Sequence, residues 1–487
     1  MKIRLVFRVL SYVSCIVSLF MIFPMIWAGI DGTDDFQAFA GSLACGLSIS
    51  FALFMAGGGR MDYEELGIRE AFAVVSLSWV IAAAVGALPY LFTDVVFGYT
   101  DAFFETMSGF TTTGATVITD METVPRGVLF WRALTHWLGG MGIVVLSLAI
   151  LPFLGVGGME LYKAEVPGPT PEKLTPRVRQ TAVFLWYFYV ALTIVQTFFL
   201  MYGGMDFYDA LTHAFGTVAT GGFSTKNASI AQYNSAYIEW VITFFMFISG
   251  INFSLHFLLA TGAWNKVRRD EELLLYVKIV GVASLLITVA LLLGGRYSSL
   301  EETARKATFQ VVSLMTTTGF VSADYDLWPH FTRSILLLLM LLGGCAGSTS
   351  GGMKVMRILV LVRQIRAEVW NILHPRAVLQ TRVNGKVISR QALSSVTAFF
   401  MLYIAVLVVA TLAVTAFGND KLDPLTAFSG VVASLSNVGP GLNALGPTAN
   451  YAWLPDGVKW IFGFCMLAGR LELYAVILLF LPETWRR

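Results

Sequence analysis

The sequence predicts an all-α polytopic membrane protein, built from four span–short helix–span repeats and two additional N-terminal transmembrane helices. Apolar residues make up 56% of the 487 residues and charged residues only 13%, which is too apolar for a soluble protein of this length. Apolar runs of roughly 20 residues recur, each long enough to cross ~30 Å of hydrocarbon. A short segment rich in Thr and Gly recurs four times between such runs.

The first two predicted spans precede the repeats and occupy residues 1–69. Lys2, Arg4 and Arg8 flank an apolar run at Leu10–Ile30. We interpret this run as a retained helix, because it is long and no small-residue cleavage site of a signal peptide ends it. An acidic turn then leads to a second span, Ala38–Ala56.

Four repeats follow, at residues 70–180, 181–270, 271–390 and 391–487. In each repeat a span leads to a short helix, a Thr/Gly loop and a second span. The short helices cannot cross a bilayer and polar residues bracket them, so we expect them to be re-entrant. The predicted first spans are Ala71–Phe92, Ala182–Tyr202, Leu273–Leu293 and Leu393–Phe417; the short helices are Ala102–Thr112, Phe207–Val218, Leu300–Met315 and Asp423–Ser434; the second spans are Gly127–Leu154, Ile238–Thr261, Phe331–Val362 and Gly457–Leu481.

The distribution of charge predicts the orientation of the chain. With both termini in the cytosol, most of the 33 Lys and Arg residues fall in segments assigned to the inside, as the positive-inside rule requires. Carboxylates are frequent in the segments assigned to the outside, where an acidic vestibule would concentrate cations; ordinary solvated loop charge is an alternative for any one of them. These carboxylates are Asp31, Asp34, Asp35, Asp101, Glu105, Asp120, Glu122, Asp206, Asp209, Asp324 and Asp326.

The four Thr/Gly loops have the composition of a cation filter. A cation that leaves water needs other oxygens, and backbone carbonyls supply them when the chain is extended around one axis. Glycine tolerates the positive φ of such a strand, threonine adds a hydroxyl oxygen, and a short helix aims its negative end at the ion. A single TTTG segment is equally well explained as a helix-capping turn, but four copies between spans favour a filter around one pseudo-fourfold pore. The predicted filter residues are Thr112, Thr113, Gly114, Ala219, Thr220, Gly221, Thr317, Thr318, Gly319, Asn437, Val438 and Gly439.

The second span of the third repeat is interrupted by a glycine-rich segment at residues 343–352. Each glycine costs a helix up to ~1 kcal/mol relative to alanine, so we expect this segment to be unwound just below the filter and to act as a gate. Close helix packing through small residues is the alternative. The predicted gate residues are Gly343, Gly344, Gly347, Gly351 and Gly352, together with Arg470.

Arg470 lies near the middle of the last predicted span. A charge there costs at least ~2.5 kcal/mol unless it is paired or hydrated. We expect it either to form a positive barrier in the pore or to pair with carbonyls of the glycine-rich segment. A structural tie between helices is the alternative, and Glu472 is the nearest acidic residue in the sequence.

A basic stretch follows the glycine-rich segment on the side assigned to the cytosol. It is explained either by the positive-inside rule and anionic lipid or by docking of a regulatory subunit. The chain has no Walker A loop, no dinucleotide-binding fingerprint and no convincing catalytic pair within the spans; we therefore expect no enzyme activity, no organic cofactor and no nucleic-acid partner. The basic residues are Lys354, Arg357, Arg363, Arg366, Arg376, Arg382, Lys386 and Arg390.

The repeated order of span, pore helix, single-glycine loop and span resembles the superfamily of potassium transporters that includes the TrkH, KtrB and HKT proteins, from about residue 70 to the end. The two extra N-terminal spans resemble the TrkH branch. The resemblance implies that Gly114, Gly221, Gly319 and Gly439 are the filter glycines. HKT-type proteins that favour sodium tend to have serine at the position of Gly114, so this glycine argues for potassium. In the fourth loop Asn437-Val438-Gly439-Pro440 departs from the pattern of the other loops.

The resemblance also implies properties beyond the filter. It implies a homodimer with one pore per subunit in the bacterial cytoplasmic (inner) membrane, with K⁺ as the transported ion, and a TrkA-like cytosolic subunit that binds nucleotide. It further implies that Arg470 faces the pore near the gating segment. The alternative function is a proton- or sodium-coupled secondary transporter, which also uses broken helices but carries two inverted repeats.

Overall fold

The computed structural model describes residues 2–58, 67–142, 178–376, 380–420 and 422–485. In these ranges the chain is helical except for loops, short 3-10 turns and one two-stranded antiparallel hairpin. Six of the described helices are long and apolar enough to span a membrane, and one further pair of helices, bent by 96°, passes the same test when taken together. The chain is a polytopic helical membrane protein, as the sequence predicts.

The N-terminal helices pack through small polar residues. Helices α1 (Ile3–Phe20) and α2 (Ile22–Asp31) form one span, which begins earlier than predicted, and α3 (Asp35–Ala56) forms the next. Between α1 and α3, the Ser14 hydroxyl donates to the Gly46 carbonyl at 3.3 Å, and the Ser50 hydroxyl donates to the Ser11 carbonyl at 2.7 Å. Small residues let the two backbones approach closely, and their hydroxyls supply hydrogen bonds that lipid cannot.

The four repeats have the predicted order of elements. Each begins with a span, followed by a short pore helix that is buried at its C-terminal end. The spans are α4 (Ile68–Gly86) with α5 (Leu88–Phe92), α8 (Val178–Tyr202), α13 (Glu271–Leu293) and α17 (Arg390–Phe417); the pore helices are α6 (Tyr99–Phe110), α9 (Phe207–Val218), α14 (Leu300–Met315) and α18 (Pro424–Leu435); the second spans begin with α7 (Arg126–Gly140), α10 (Ala236–Ser249), α15 (His330–Leu342) and α19 (Asp456–Arg470).

The second spans of the second, third and fourth repeats are interrupted partway, where the sequence predicts an interruption in the third alone. After α10 the chain bends by 96° into α11 (Phe253–Ala260), and after α19 two residues with positive φ, Glu472 and Leu473, precede α20 (Tyr474–Phe480). Helices therefore cover both predicted spans, Ile238–Thr261 and Gly457–Leu481, but each span contains a break that the sequence does not predict. The break after α10 contains no residue with positive φ, whereas the break after α19 contains two. Neither break leaves a clear signal in an otherwise apolar run. The part of the predicted span Gly127–Leu154 beyond residue 142 lies outside the described residues.

Polar contacts join each second span to the next repeat in order, and all of them except the contact of Arg333 with Asn443 are buried or partly buried. Arg132 of α7 donates to the Ser224 carbonyl of the second repeat at 2.9 Å. Glu239 of α10 accepts from Lys306 of α14 at 2.6 Å. The remaining two ties close the ring: Arg333 of α15 donates to Asn443 at 2.6 Å, and Lys459 of α19 pairs with Asp101 of α6 at 2.5 Å.

Ion pairs also engage several of the carboxylates that the sequence assigns to an acidic outer vestibule. Glu105 is fully buried and pairs with Arg132 at 2.7 Å. Asp101, Asp209 and Asp326 likewise face a Lys or Arg within 3.1 Å. A carboxylate that neutralises a neighbouring cation adds little to a long-range negative potential. For these four residues the expectation of a cation-concentrating surface is wrong. Asp101, Glu105 and Asp209 tie pore helices to neighbouring segments, and Asp326 ties the turn Tyr325–Leu327 to α15.

The two-stranded hairpin lies on the side of the protein that the sequence assigns to the cytosol. Helix α16 (Val355–Leu373) resumes the third repeat, and strands β1 (Arg382–Val383) and β2 (Lys386–Val387) pair antiparallel before α17 begins. The turn of the hairpin is Asn384-Gly385, both at positive φ, as a tight two-residue turn requires. The short helices α12 (Trp264–Arg268) and α21 (Pro482–Trp485) and the 3-10 turns Ser229–Tyr233, Tyr325–Leu327 and Asn443–Leu445 complete the described elements.

Candidate ion filter and gate

Each pore helix ends in the same backbone motif. The second residue after the helix C-terminal turn adopts a left-handed conformation, and the next N–H donates to the carbonyl five residues earlier, as in a Schellman motif. Those N–H donors are Thr113, Gly221, Thr318 and Val438, at 2.8–2.9 Å. The left-handed residues are Thr112, Thr220, Thr317 and Asn437, with φ of 53°, 53°, 56° and 56°.

Three of these left-handed residues are threonine, which is unusual. A β-branched residue at positive φ is a genuine outlier, and such strain persists only where the surroundings impose it, commonly at functional sites. The Thr-rich motif therefore supplies hydroxyl groups, and it also marks the position of a strained turn.

Glycines with positive φ follow two positions later. They are Gly114, Gly222, Gly319 and Gly439, with φ of 87°, 80°, 79° and 95°. In the second loop the equivalent glycine is thus Gly222, one residue beyond Gly221, the glycine selected from the sequence. Gly221 instead matches Thr113, Thr318 and Val438, which carry side chains. The sequence Thr-Gly-Gly allows either alignment, and only the backbone conformation separates them.

The four loops contact one another in a closed ring. A Cβ atom added at Gly114 would lie less than 3.0 Å from the Gly221 carbonyl oxygen, closer than real Cβ contacts. The same conflict joins the second loop to the third, the third to the fourth, and the fourth to the first. Each loop therefore requires glycine where the carbonyl of the next loop approaches. The carbonyls that form these contacts belong to Gly221, Thr318, Val438 and Thr113.

Side chains behind the ring hold the loops. The hydroxyls of Thr113 and Thr111 lie 2.8 Å apart, as do those of Thr318 and Thr316. The Asn437 amide donates to the Thr113 hydroxyl at 3.0 Å and to the Met466 carbonyl at 2.8 Å. Asn437 thus links the fourth loop to the first and to the second span of its own repeat.

His136 occupies the space behind the second loop. Its Nδ1 lies 2.7 Å from the Gly109 carbonyl, and its ring stacks on Phe223 with centroids 3.9 Å apart. A Cβ added at Gly221 would lie less than 3.0 Å from the imidazole ring. The ring fills the place that a side chain takes in the other three loops, which explains why the second loop has an additional glycine.

The glycine-rich segment is unwound and lies against the ends of the pore helices. It joins α15 to α16, and Gly343, Gly347 and Gly352 have φ of 70–75°. The Gly351 N–H donates to the Thr317 hydroxyl at 2.7 Å, and the Thr349 hydroxyl donates to the Val218 carbonyl at 3.2 Å.

The remaining glycines of this segment also stand at close approaches. A Cβ added at Gly351 would overlap the Ser436 carbonyl, and one added at Gly344 would lie 3.0 Å from the Gly250 carbonyl. The segment therefore touches loops or helix ends of the second, third and fourth repeats, and larger residues do not fit there.

Arg470 links this segment to the first repeat. Its guanidinium donates to the Thr349 carbonyl at 2.8 Å and to the carbonyls of Gly139 and Gly140 at 2.7 and 3.2 Å. The three acceptors lie on two different chain segments, and the several N–H donors of one guanidinium reach both at once. Two of the interactions weighed from the sequence are therefore present: the pairing with a carbonyl of the glycine-rich segment and a tie between helices, here α19 and α7.

The first two residues of the predicted basic stretch belong to the interior. Lys354 is buried and donates to the Ser350 carbonyl, while Arg357 pairs with Glu472 and lies over the Phe399 ring at 3.9 Å. Neither is available for docking, so that part of the expectation is wrong. Their positions follow from the chain turning inward before α16 begins.

No group of three or more His, Cys, Asp or Glu side chains is arranged to hold a metal ion within the described ranges. The oxygens assembled near the ring are backbone carbonyls and Thr hydroxyls. Such neutral oxygens suit a monovalent cation in transit.

Comparisons with known proteins agree with this architecture. The family model TrkH, described as "Cation transport protein", matches residues 47–486. The Trk system potassium uptake protein TrkH of Escherichia coli (strain K12) is 41% identical over 489 residues, covering 100% of both chains. The Trk system potassium uptake protein TrkG of the same strain is 36% identical, covering 90% of this chain and 91% of its own.

The fold also matches a solved structure. The crystal structure of the potassium transporter TrkH from Vibrio parahaemolyticus superposes with a TM-score of 0.88 at 36% identity, covering 100% of each chain. A family match over nearly the whole length and relatives above 30% identity establish the relationship. The chain belongs to the TrkH family of cation transport proteins, and it is a transporter rather than an enzyme.

Proposed function

We propose that this protein mediates potassium uptake, with K⁺ passing through the ring formed by the four Thr/Gly loops. The observation that carries the proposal is the closed set of contacts in which the glycine of each loop meets the carbonyl of the next. The printed names of the relatives, which are potassium uptake proteins, support K⁺ as the ion. Carbonyls held at fixed separation replace the water shell of a cation of matching size.

In this proposal the filter residues are those predicted from the sequence, with Gly222 added in the second loop. Thr112, Thr220 and Thr317 fix the turns, and their strained conformation places the following carbonyls. The repeats at 70–180, 181–270, 271–390 and 391–487 each contribute one quarter of the ring.

The glycine-rich segment at 343–352 and Arg470 form the gate. The segment lies against the ends of three pore helices, and Arg470 fixes it to the carbonyls of Gly139 and Gly140. Releasing these hydrogen bonds would let the segment move away from the ring. A helical segment in the same place would leave no loose chain to move.

A cytosolic nucleotide-binding subunit of the TrkA type acts on this gate, and the chain forms a homodimer in the bacterial inner membrane with both termini in the cytosol. The word "system" in the relatives' names supports a multi-component transporter. The concentration of Lys and Arg in the segments assigned to the inside supports the orientation.

A proton-coupled carrier is less well supported. Such a mechanism needs an acidic group that binds and releases protons within the membrane. Glu472, the acidic residue nearest to Arg470 in the last span, pairs with Arg357. This contact engages the Glu472 carboxylate in a tie between α16 and the break after α19.

Rubidium uptake into proteoliposomes tests the filter. The native protein, Gly319→Ser and Gly281→Ser are compared, with potassium or sodium as competitor. Gly319 has positive φ and no room for a Cβ, whereas a Cβ at Gly281 meets nothing within 4 Å. We expect potassium to compete better than sodium, Gly319→Ser to weaken that preference, and Gly281→Ser to retain it. An unchanged preference in Gly319→Ser would contradict the filter assignment.

A further inference from the structure

Glu272 bonds two points at the base of the glycine-rich segment. It lies in the first turn of α13 and is only 2% exposed. Its Oε1 accepts from the Ala346 N–H at 2.6 Å and from the Met356 N–H at 3.0 Å. These donors lie more than 70 residues away in sequence, on either side of the part of the segment that touches the filter.

The two donors define the ends of a closed loop. Between them lie Thr349, which bonds Arg470, and Gly351, which bonds Thr317. A backbone hydrogen bond from Val355 to the Gly344 carbonyl at 3.0 Å closes the same base. Buried N–H groups need an acceptor, and the Glu272 Oε1 serves both donors at once. Glu272 therefore fixes the spacing of the two ends.

The residues beside Glu272 bind the cytosolic hairpin. The Glu271 carboxylate accepts from the Asn384 N–H at 2.6 Å and from Arg363 at 2.8 Å. The Asp270 carboxylate accepts from the Asn384 side-chain amide at 2.8 Å. In addition, the Asn384 side-chain oxygen accepts from the Glu271 N–H at 2.9 Å. The turn of the hairpin is thus bound directly to the residues that precede Glu272.

Acidic residues in the first turn of a helix are common, because they complement the helix dipole. That explanation accounts for Asp270, which caps the Leu273 N–H at 2.8 Å. It does not account for Glu272, whose carboxylate turns away from its own helix. Burial of a carboxyl group is costly unless specific donors compensate, and the donors here are Ala346 of the glycine-rich segment and Met356 in the first turn of α16, which follows it.

We propose that Glu272 is a positioning residue that holds the glycine-rich segment against the filter, and that Asp270–Glu272 couples this segment to the cytosolic hairpin turn at Asn384. Displacing the turn shifts the first turn of α13, withdraws the carboxylate from Ala346 and Met356, and frees the base of the segment. The inference rests on the proposed gating role of that segment. It adds the site at which a force applied in the cytosol reaches the gate.

Rubidium uptake without any regulatory subunit tests the coupling. The variants are Glu272→Ala, Glu272→Gln, Asn384→Ala and the double variant Glu272→Ala/Asn384→Ala. The control is Glu368→Ala, which removes an exposed carboxylate from α16. Since the two hydrogen bonds of Glu272 together contribute a factor of about ten or more, Glu272→Ala is expected to raise uptake about tenfold. Glu272→Gln retains an acceptor oxygen and is expected to raise it less.

Asn384→Ala is expected to raise uptake in the same direction, and the double variant no further than Glu272→Ala alone, because both act on one link. Unchanged uptake in Glu272→Ala or in Asn384→Ala, or additive effects in the double variant, would overturn the proposal. If Glu272→Ala does not fold, as judged by size-exclusion chromatography, the isosteric Glu272→Gln and Asn384→Ala carry the test. Potassium–sodium competition in the same vesicles reports the filter separately, so a failure of the filter assignment is recognised independently.

Discussion

Because Gly222 rather than Gly221 lies in the ring, substitutions at these two adjacent glycines should impair the filter in different ways. Gly222 has φ of 80°, and a Cβ there would overlap the Thr318 carbonyl of the next loop. Gly221 lacks positive φ, and a Cβ there would overlap the His136 ring instead. Both single substitutions to alanine should harm the filter, but for different reasons, and a second substitution distinguishes them.

The size of the expected loss of potassium preference follows from the backbone conformation at Gly222. A left-handed conformation costs a residue with a Cβ roughly 1–2 kcal/mol, which lowers the population of the intact ring about 5- to 30-fold. Overlap with the Thr318 carbonyl adds to this cost and has no flexible side chain to relieve it. Gly222→Ala should therefore lose most of its preference for potassium over sodium. Removing His136 should not restore it.

Gly221→Ala should be rescued by His136→Ala, because the position accepts side chains in the other loops once the imidazole ring is absent. The assay is potassium–sodium competition against rubidium uptake for both single variants, each paired with His136→Ala, and for His136→Ala alone as the reference. If His136→Ala rescues Gly222→Ala, or if Gly222→Ala retains full preference while Gly221→Ala cannot be rescued, the assigned register of the second loop is wrong.

Two further predictions concern the gate and the buried ion pair between Glu105 and Arg132. Arg470→Gln gives a shorter, neutral side chain that loses most of the hydrogen bonds to Thr349, Gly139 and Gly140. Since a hydrogen bond from a charged donor contributes ~1.5–3 kcal/mol, uptake without the regulatory subunit should rise at least tenfold. A rate equal to that of the native protein would contradict the gating role. Glu105→Gln breaks a fully buried ion pair with Arg132; removal of one partner costs ~3–5 kcal/mol, so the melting temperature in detergent should fall by several degrees, and an unchanged value would refute the structural role of the pair.

Much of the fold could be predicted from the sequence because apolar length and loop composition are local signals. The described first spans and pore helices lie within a few residues of the predicted ranges; for example, Phe207–Val218 and Leu300–Met315 coincide with the structure. The unwound glycine-rich segment was also predictable, since a run of glycines is a poor helix regardless of its surroundings.

The remaining differences depend on contacts between distant segments. The register of Gly221 and Gly222 is decided by His136 and by Thr318, which come from other repeats. The pairing of Glu105 with Arg132 turns an apparent vestibule charge into a buried tie. Composition assigns each acidic residue to a side of the membrane but does not reveal its partner.

The break after α19 was missed for another reason. Glu472 and Leu473 have positive φ, although neither residue type favours it. The break is imposed by packing around the gate, where Glu472 meets Arg357. Glu272 was missed in the same way, because an acidic residue at the start of a span reads as an ordinary helix terminus.

Locating the bound ion would test whether the four loops form the ion-binding ring. Crystals of the protein grown in rubidium salt would be measured for anomalous scattering. The account predicts a rubidium peak at the centre of the ring, coordinated by carbonyl oxygens that include those of Thr113, Gly221, Thr318 and Val438. A rubidium peak found only beside acidic side chains outside the ring, with the ring empty at saturating rubidium, would contradict the filter assignment.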